Sequence, residues 1–211
     1  MLTVIFDPQH LKKTMKIKQI VFSFLFLIIS STGNAQDYKK TIEIEFTEYL
    51  NSIVNKNFAK SMNYVIPEFF EIIPKSQMIK LMEQTFNNPS MEFELKNPKI
   101  LSIDDAQKIE EKFYSLLSYS NQMNMKILNE GEETEDEKKM RIGLTQLSFE
   151  QNFGSENVKY NKETDFFEIL VEKQVYTISK DGETDWKFLV IEKKQKVLLE
   201  KLLPKELVDK I

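Results

Sequence analysis

Phe113-Tyr114-Ser115-Leu116-Leu117-Ser118-Tyr119-Ser120-Asn121-Gln122-Met123-Asn124-Met125-Lys126-Ile127 is the stretch on which the fold turns. Phe113, Ser115, Leu117, Tyr119, Asn121, Met123, Met125 and Ile127 share one side of an extended chain. Ser118, Ser120, Gln122, Asn124 and Lys126 share the other. Alternation of this length reads as one long strand with an inward face and a wet face, the pattern of an antiparallel sheet.

The flanks supply its neighbours. Upstream, Met91, Phe93, Leu95, Leu101 and Ile103 share one parity and Glu92, Glu94 and Lys96 the other, with Asn97-Pro98 suggesting a bulge or bend. Ser102 to Gln107 reads as a turn. Downstream, Phe167, Ile169, Val171 and Val175 alternate with Glu168, Glu172 and Gln174. Asp181-Gly182 is a hairpin signal, because glycine accepts the positive φ a tight turn needs. The returning strand carries Trp186, Phe188 and Val190 on one side and Leu189 and Ile191 on the other, which predicts a central strand or one covered by a terminal helix.

Helical periodicity brackets the strands. Ile42, Phe46, Tyr49, Leu50 and Ile53 form the apolar stripe of a helix over 38–57. A short helix covers Ala59 to Val65, and the proline-bracketed run 67–74 reads as a short strand or a buried helical turn. Residues 75–87 form a third helix with Met78, Leu81, Met82, Thr85 and Phe86 on one face, stopped by Asn87-Asn88-Pro89. Six acids between Glu130 and Glu137 read as a solvated loop and helix start. A helix over 136–153 then places Met140, Leu144 and Leu147 on one stripe. Lys194 to Leu203 is a last helix, broken by Pro204 before a final turn at 206–211.

The first 35 residues belong to another task. Lys12, Lys13, Lys16 and Lys18 precede an apolar run, Ile20 to Ile29, and a small polar stretch ending in Gly33-Asn34-Ala35. This is the layout of a secretory signal peptide, with cleavage expected before Gln36 and a periplasmic or secreted product. Residues 1–14 read as an upstream extension, since Met15 is itself a good start. Residues 36–211 read as a single domain with an inserted acidic loop and helix at about 130–153, and no membrane span after cleavage.

Cleavage changes the chemistry. Of 29 basic and 33 acidic residues, the leader holds four lysines and Asp7, which leaves 25 and 32 and a net charge of −7. The one histidine, His10, leaves with it, and the chain has no cysteine. Triads built on His or Cys, the usual zinc ligand sets and disulfides are therefore excluded, and no cofactor is expected. One arginine, Arg141, cannot build a phosphate clamp. The acidic balance disfavours nucleic acid and anionic membranes.

The stretch Met62-Asn63-Tyr64-Val65-Ile66-Pro67-Glu68-Phe69-Phe70, the helix around Ile79 to Phe86 and the terminal Asp185-Trp186-Lys187-Phe188-Leu189-Val190-Ile191 together resemble the NTF2-like (SnoaL-like) superfamily. The resemblance spans about residues 38–193. It implies an α+β fold in which N-terminal helices pack on a strongly curved, cone-like antiparallel sheet, with a pocket at the open end. The acidic loop and helix at 130–153 depart from it, because the family joins the flanking strands more directly. Catalytic members generally place Asp and His, or paired acids and Tyr, in that pocket, and the mature chain cannot supply His.

The candidate ligand-binding residues are Phe69, Phe70, Met78, Met82, Tyr119, Asn121, Met123 and Trp186. Tyr119 and Asn121 are the polar members of an apolar parity, and the methionines suit an irregular apolar wall. Ordinary core packing accounts for the same residues. The leading expectation is an exported, non-enzymatic domain that binds a small apolar ligand or an envelope protein. Two alternatives stand beside it: a His-free isomerase or hydrolase using a buried Glu or Asp with Tyr, and an interaction module that dimerises through its sheet.

Overall fold

The computed structural model describes residues 33–129 and 131–211. The signal-peptide reading of residues 1–35 therefore lies almost wholly outside the described residues. The chain divides into two compact units, 1–40 and Thr41–Ile211. Of the first, only helical backbone from Gly33 onward is described. The second holds the sheet and the core.

The fold is α+β, with helices packed on a six-stranded, open antiparallel sheet. Helix α1 (Gly33–Val54) is followed by three short helices, α2 (Phe58–Ser61), α3 (Phe69–Ile72) and α4 (Lys75–Phe86). Strands β1 (Met91–Ile103), β2 (Gln107–Ile109) and β3 (Lys112–Ile127) come next, then helix α5 (Glu135–Phe153). Strands β4 (Val158–Asn161), β5 (Phe166–Ser179) and β6 (Lys187–Val190) complete the sheet, and α6 (Lys196–Leu202) and α7 (Lys205–Val208) close the chain. The strand order is β1-β3-β5-β4, with β2 on β3 and β6 on β5.

The odd parity of β3 is one face of this sheet. Across the ladder Leu117 meets Val175, Tyr119 meets Lys173, Asn121 meets Val171, Met123 meets Ile169 and Met125 meets Phe167. Phe46 of α1 covers the middle of that face, its ring edge-on to Tyr119 and Phe188 at 5.0 and 4.9 Å. Phe149 and Phe153 of α5 cover its far end, over Met123, Met125, Phe167 and Ile169. The even parity begins under the terminal helices, where Tyr114, Tyr176, Ile178 and Leu189 pack on Leu199, Leu203 and Leu207.

Several expectations need correction. The even side of β3 is not simply wet: Tyr114 is buried by the C-terminal helices, and Asn124 is buried while accepting a hydrogen bond from Gln122 at 2.7 Å. Leu101 faces solvent, because the register shift after Lys96, where Asn97 takes φ 52°, reverses the parity and sets Ile100 opposite Tyr119, and the shift after Ile100 restores it while leaving Leu101 without a partner across the ladder. Residues 107–109 pair with β3 instead of ending a turn, and β4 has no counterpart in the sequence reading because four residues, Val158–Asn161, give too short an alternation. In α4 Leu81 is exposed, while Met78, Met82 and Phe86 lie half-buried; Phe86 meets Phe58 and Phe93.

The largest reversal is in α5. Its start matches the acidic signal, with a Thr134–Glu137 capping box. Its core side, however, is Ile142, Phe149 and Phe153. The stripe Met140, Leu144 and Leu147 is 61%, 63% and 52% exposed. Two apolar stripes compete on one helix, and the aromatic one, which buries more area, faces the sheet.

The β5–β6 connection is a hairpin of seven intervening residues, 180–186, rather than a two-residue turn. Gly182 takes φ 78°, and a Cβ there would lie 2.8 Å from the Phe113 ring. Asp181 organises the loop: its carboxylate accepts from the Glu183 and Thr184 N–H groups and from the Thr184 and Ser179 hydroxyls. Those bonds, the Thr184 N–H foremost, hold its pKa below the ordinary carboxylate value. Asp181→Ala is expected to cost about 1 kcal/mol at neutral pH, as for loss of a capping carboxylate. The folded pKa is depressed, so this contribution is full above the unfolded value of about 4 and fades as pH falls through the folded one. Denaturant melts of the two proteins should therefore converge on acidification; a gap constant with pH would contradict the assignment.

Candidate functional site

Backbone geometry builds the site. The outer edge of β5 is shared by two short strands. Strand β4 pairs with Phe166–Ile169 and β6 with Val175–Ile178. Residues 170–174 lie between them. The Ile191 N–H donates to the Gln174 carbonyl at 2.9 Å, so even-numbered β5 residues aim their peptide groups outward. Glu172 is the even position in the interval that neither neighbour reaches, since the Val158–Ile169 pair places Asn157 opposite Leu170.

Both neighbours turn away for local reasons. Helix α5 ends at Gly154, φ 89°, and a 3-10 turn over Ser155–Asn157 follows, in which the Asn157 N–H returns to the Gly154 carbonyl at 3.1 Å. The chain thus joins the sheet only at Val158. On the other side, the Gln195 N–H closes on the Glu192 carbonyl at 2.8 Å and draws the chain into a second 3-10 turn.

A cleft of about 1090 Å³ opens at this interval. Its apolar wall is Met125, Phe149, Phe153, Val171 and Leu170. Asn152, Asn157, Glu172 and Gln174 contribute polar groups, and Lys173 pairs with Glu192 at the margin. Leu170 is 49% exposed there. The cleft is open to solvent and slightly larger than the roughly 300–1,000 Å³ of common ligand pockets, and its apolar wall with a few polar groups is the make-up of a binding site.

None of the eight sequence-derived candidates lines this cleft. Tyr119 is buried against Phe46, and its pKa is driven far up by burial, with Tyr49 and Glu192 adding to it. It is a protonated core residue. Asn121, half-buried, sits directly across the ladder from Val171, one strand in from the cleft. Met123 belongs to the cluster under α5, whereas Phe69 packs on the C-terminal cluster beside Ile66 and Tyr114. Phe70 is edge-on to Phe69 at 6.0 Å, and Met78 and Met82 lie on α4. Trp186 is fully buried at the end of the hairpin loop, immediately before β6. Tyr119, Asn121 and Met123 therefore share a face, while the other five are distributed over separate elements and do not converge with them.

A carboxyl with a raised pKa does exist, outside the cleft. Glu45 of α1 accepts the Trp186 N–H at 2.6 Å. Burial lifts its pKa, Asp185 adds to the lift, and the Trp186 bond opposes it. Its observed work is to tie α1 to the loop before β6. The Glu68 carboxylate is held by Lys112 at 2.5 Å, and Arg141 is paired with Glu133 at 2.5 Å. Among the described residues no three acidic, His or Cys side chains converge as a metal site, and no helix is long and apolar enough to cross a membrane.

The cleft could be suspected from one sequence signal. Leu170 is an apolar residue on the otherwise polar parity of Glu168, Glu172 and Gln174. Compared with known proteins, the chain matches no family model, and no curated protein matches it.

Proposed function

We propose that this is an exported, non-enzymatic binding domain of the NTF2-like kind, whose ligand or partner occupies the cleft at the interrupted edge of β5. Helices first, then an antiparallel sheet ending in a hairpin, support the family reading. The observation that carries the binding reading is the cleft itself: about 1090 Å³, walled by Met125, Phe149, Phe153 and Val171 and bordered by amides and charged groups. The apolar wall supplies affinity by leaving water, and the polar groups orient what binds.

Native mass spectrometry of the protein purified from its source tests this. A stoichiometric adduct is expected, and it should disappear in Ser148→Trp. Ser148 is an exposed residue lining the cleft, so an indole there occupies the space without entering the core. An adduct that survives Ser148→Trp, or none at all, would overturn the reading.

A further inference from the structure

We propose that α5 is the contact through which two copies of this chain pair, their helices antiparallel and related by a two-fold axis between Gly143 and Leu144. Ile142, Phe149 and Phe153 already face the sheet. On the opposite side of the helix Met140, Leu144 and Leu147 are each more than half exposed, at the i, i+4 and i+7 spacing of one continuous stripe. Single exposed leucines are ordinary, but three large apolar side chains in line have the make-up of a helix-pair seam.

Gly143 lies exposed beside the stripe. It has no positive φ, and a Cβ there would meet nothing within 4 Å. Neither its conformation nor packing within the chain therefore calls for glycine. Glycine inside a helix destabilises it relative to alanine. What it permits is the close approach of another backbone.

The pattern is its own complement. Met140 precedes Gly143 by three residues, and Leu147 follows Leu144 by three. Turned antiparallel about the midpoint, Met140 of each copy meets Leu147 of the other and Leu144 meets Leu144. Gly143 meets Gly143 and lets the backbones close on that side. Such symmetry is what an isologous contact requires, and an unrelated partner requires none. Charge sets the direction. The first turn holds Glu135, Asp136 and Glu137, all exposed. A parallel pair would set the two acidic turns side by side. In the antiparallel pair Asp136 lies level with the uncharged, exposed Gln151 of the second copy. That is fifteen positions from the second copy's own Asp136, about 22 Å at helix rise. The separation exceeds the screening length of about 8–10 Å.

The contact is one 19-residue helix long and about 10 Å wide, at the low end of interface sizes, below about 1,200 Å² in total. The pair is therefore reversible and depends on concentration.

Sedimentation equilibrium of the purified protein from about 1 μM to about 1 mM tests it. The mass is expected to rise from that of one copy toward that of two. Leu144→Glu, at an exposed position, should hold it at one copy throughout. Gly143→Leu raises helix propensity and meets no neighbour within the chain, so it should weaken pairing at least about tenfold without lowering the melting temperature. Disulfide trapping reads the direction, because the chain has no cysteine of its own. Met140→Cys and Leu147→Cys proteins, mixed and oxidised, should give the mixed dimer in preference to either homodimer. A single-copy mass at about 1 mM, or association unchanged by both Leu144→Glu and Gly143→Leu, overturns the proposal. A preference for the two homodimers overturns the antiparallel arrangement. Should Leu144→Glu misfold, Gly143→Leu and the trapping still decide.

Discussion

Phe46→Ala is expected to destabilise the protein by about 3–5 kcal/mol, the range for removing a buried aromatic ring from a well-packed core. Phe46 is fully buried on α1. Its ring touches Tyr119 of β3 at 5.0 Å, Phe188 of β6 at 4.9 Å and Tyr49 of its own helix at 5.7 Å. One side chain thus joins the first helix to two strands distant in sequence. Edge-on aromatic pairs add about 0.5–1.5 kcal/mol each beyond area burial. Total stability of a domain this size is about 5–15 kcal/mol, so the loss takes a large share. At about 2–4 °C per kcal/mol, the melting temperature should fall by roughly 10 °C or more. Thermal unfolding followed by circular dichroism measures it, with exposed Ile44→Ala as the control that stays within about 0.5 kcal/mol. A drop below about 1 kcal/mol would mean that α1 is not docked on the sheet in solution.

The second large effect lies at the opposite end of the chain. Leu207→Ala should cost about 2–5 kcal/mol. Leu207 is fully buried, and Val208, Leu203 and Leu199 beside it are nearly so. Together they cover Tyr114, Tyr176, Ile178 and Leu189, the even-parity residues that would otherwise face water. The Tyr176 hydroxyl also donates to the Leu207 carbonyl at 3.3 Å. Val197→Ala, on the exposed side of α6, should be silent. Equal behaviour of the two variants would show that the terminal helices are a loose appendage. A selective loss at Leu207 would make them part of the core and explain why β6, apolar on both sides, tolerates an edge position with only a bridge from Val65 to Phe188 beyond it.

Much of the framework was legible in the order of residues. The β3 alternation, the bend at Asn97-Pro98, the α1 stripe, the acidic start of α5 and the stop at Pro204 all depend on neighbours within a turn or a few strand residues, and each is found. The site was not legible to the same degree. Tyr119, Asn121 and Met123 share a face as their parity requires. Whether such a face is filled or open depends on which helix lands on it, and Phe46 and Phe149 fill it.

Local pattern therefore determined the α+β class, the order of the longer elements and the absence of histidine and cysteine chemistry from residues 36–211, because periodicity and composition are properties of the chain itself. Only tertiary structure decided which of the two α5 stripes is buried, since both satisfy helical spacing and the contest is settled by aromatic area against the sheet. It alone decided where the cleft lies. That depends on β4 stopping at Val158 and the chain leaving the sheet after Ile191, on the same edge of β5. Strands far apart in sequence meet there, and the gap between them is a matter of register, which no single stretch of sequence contains.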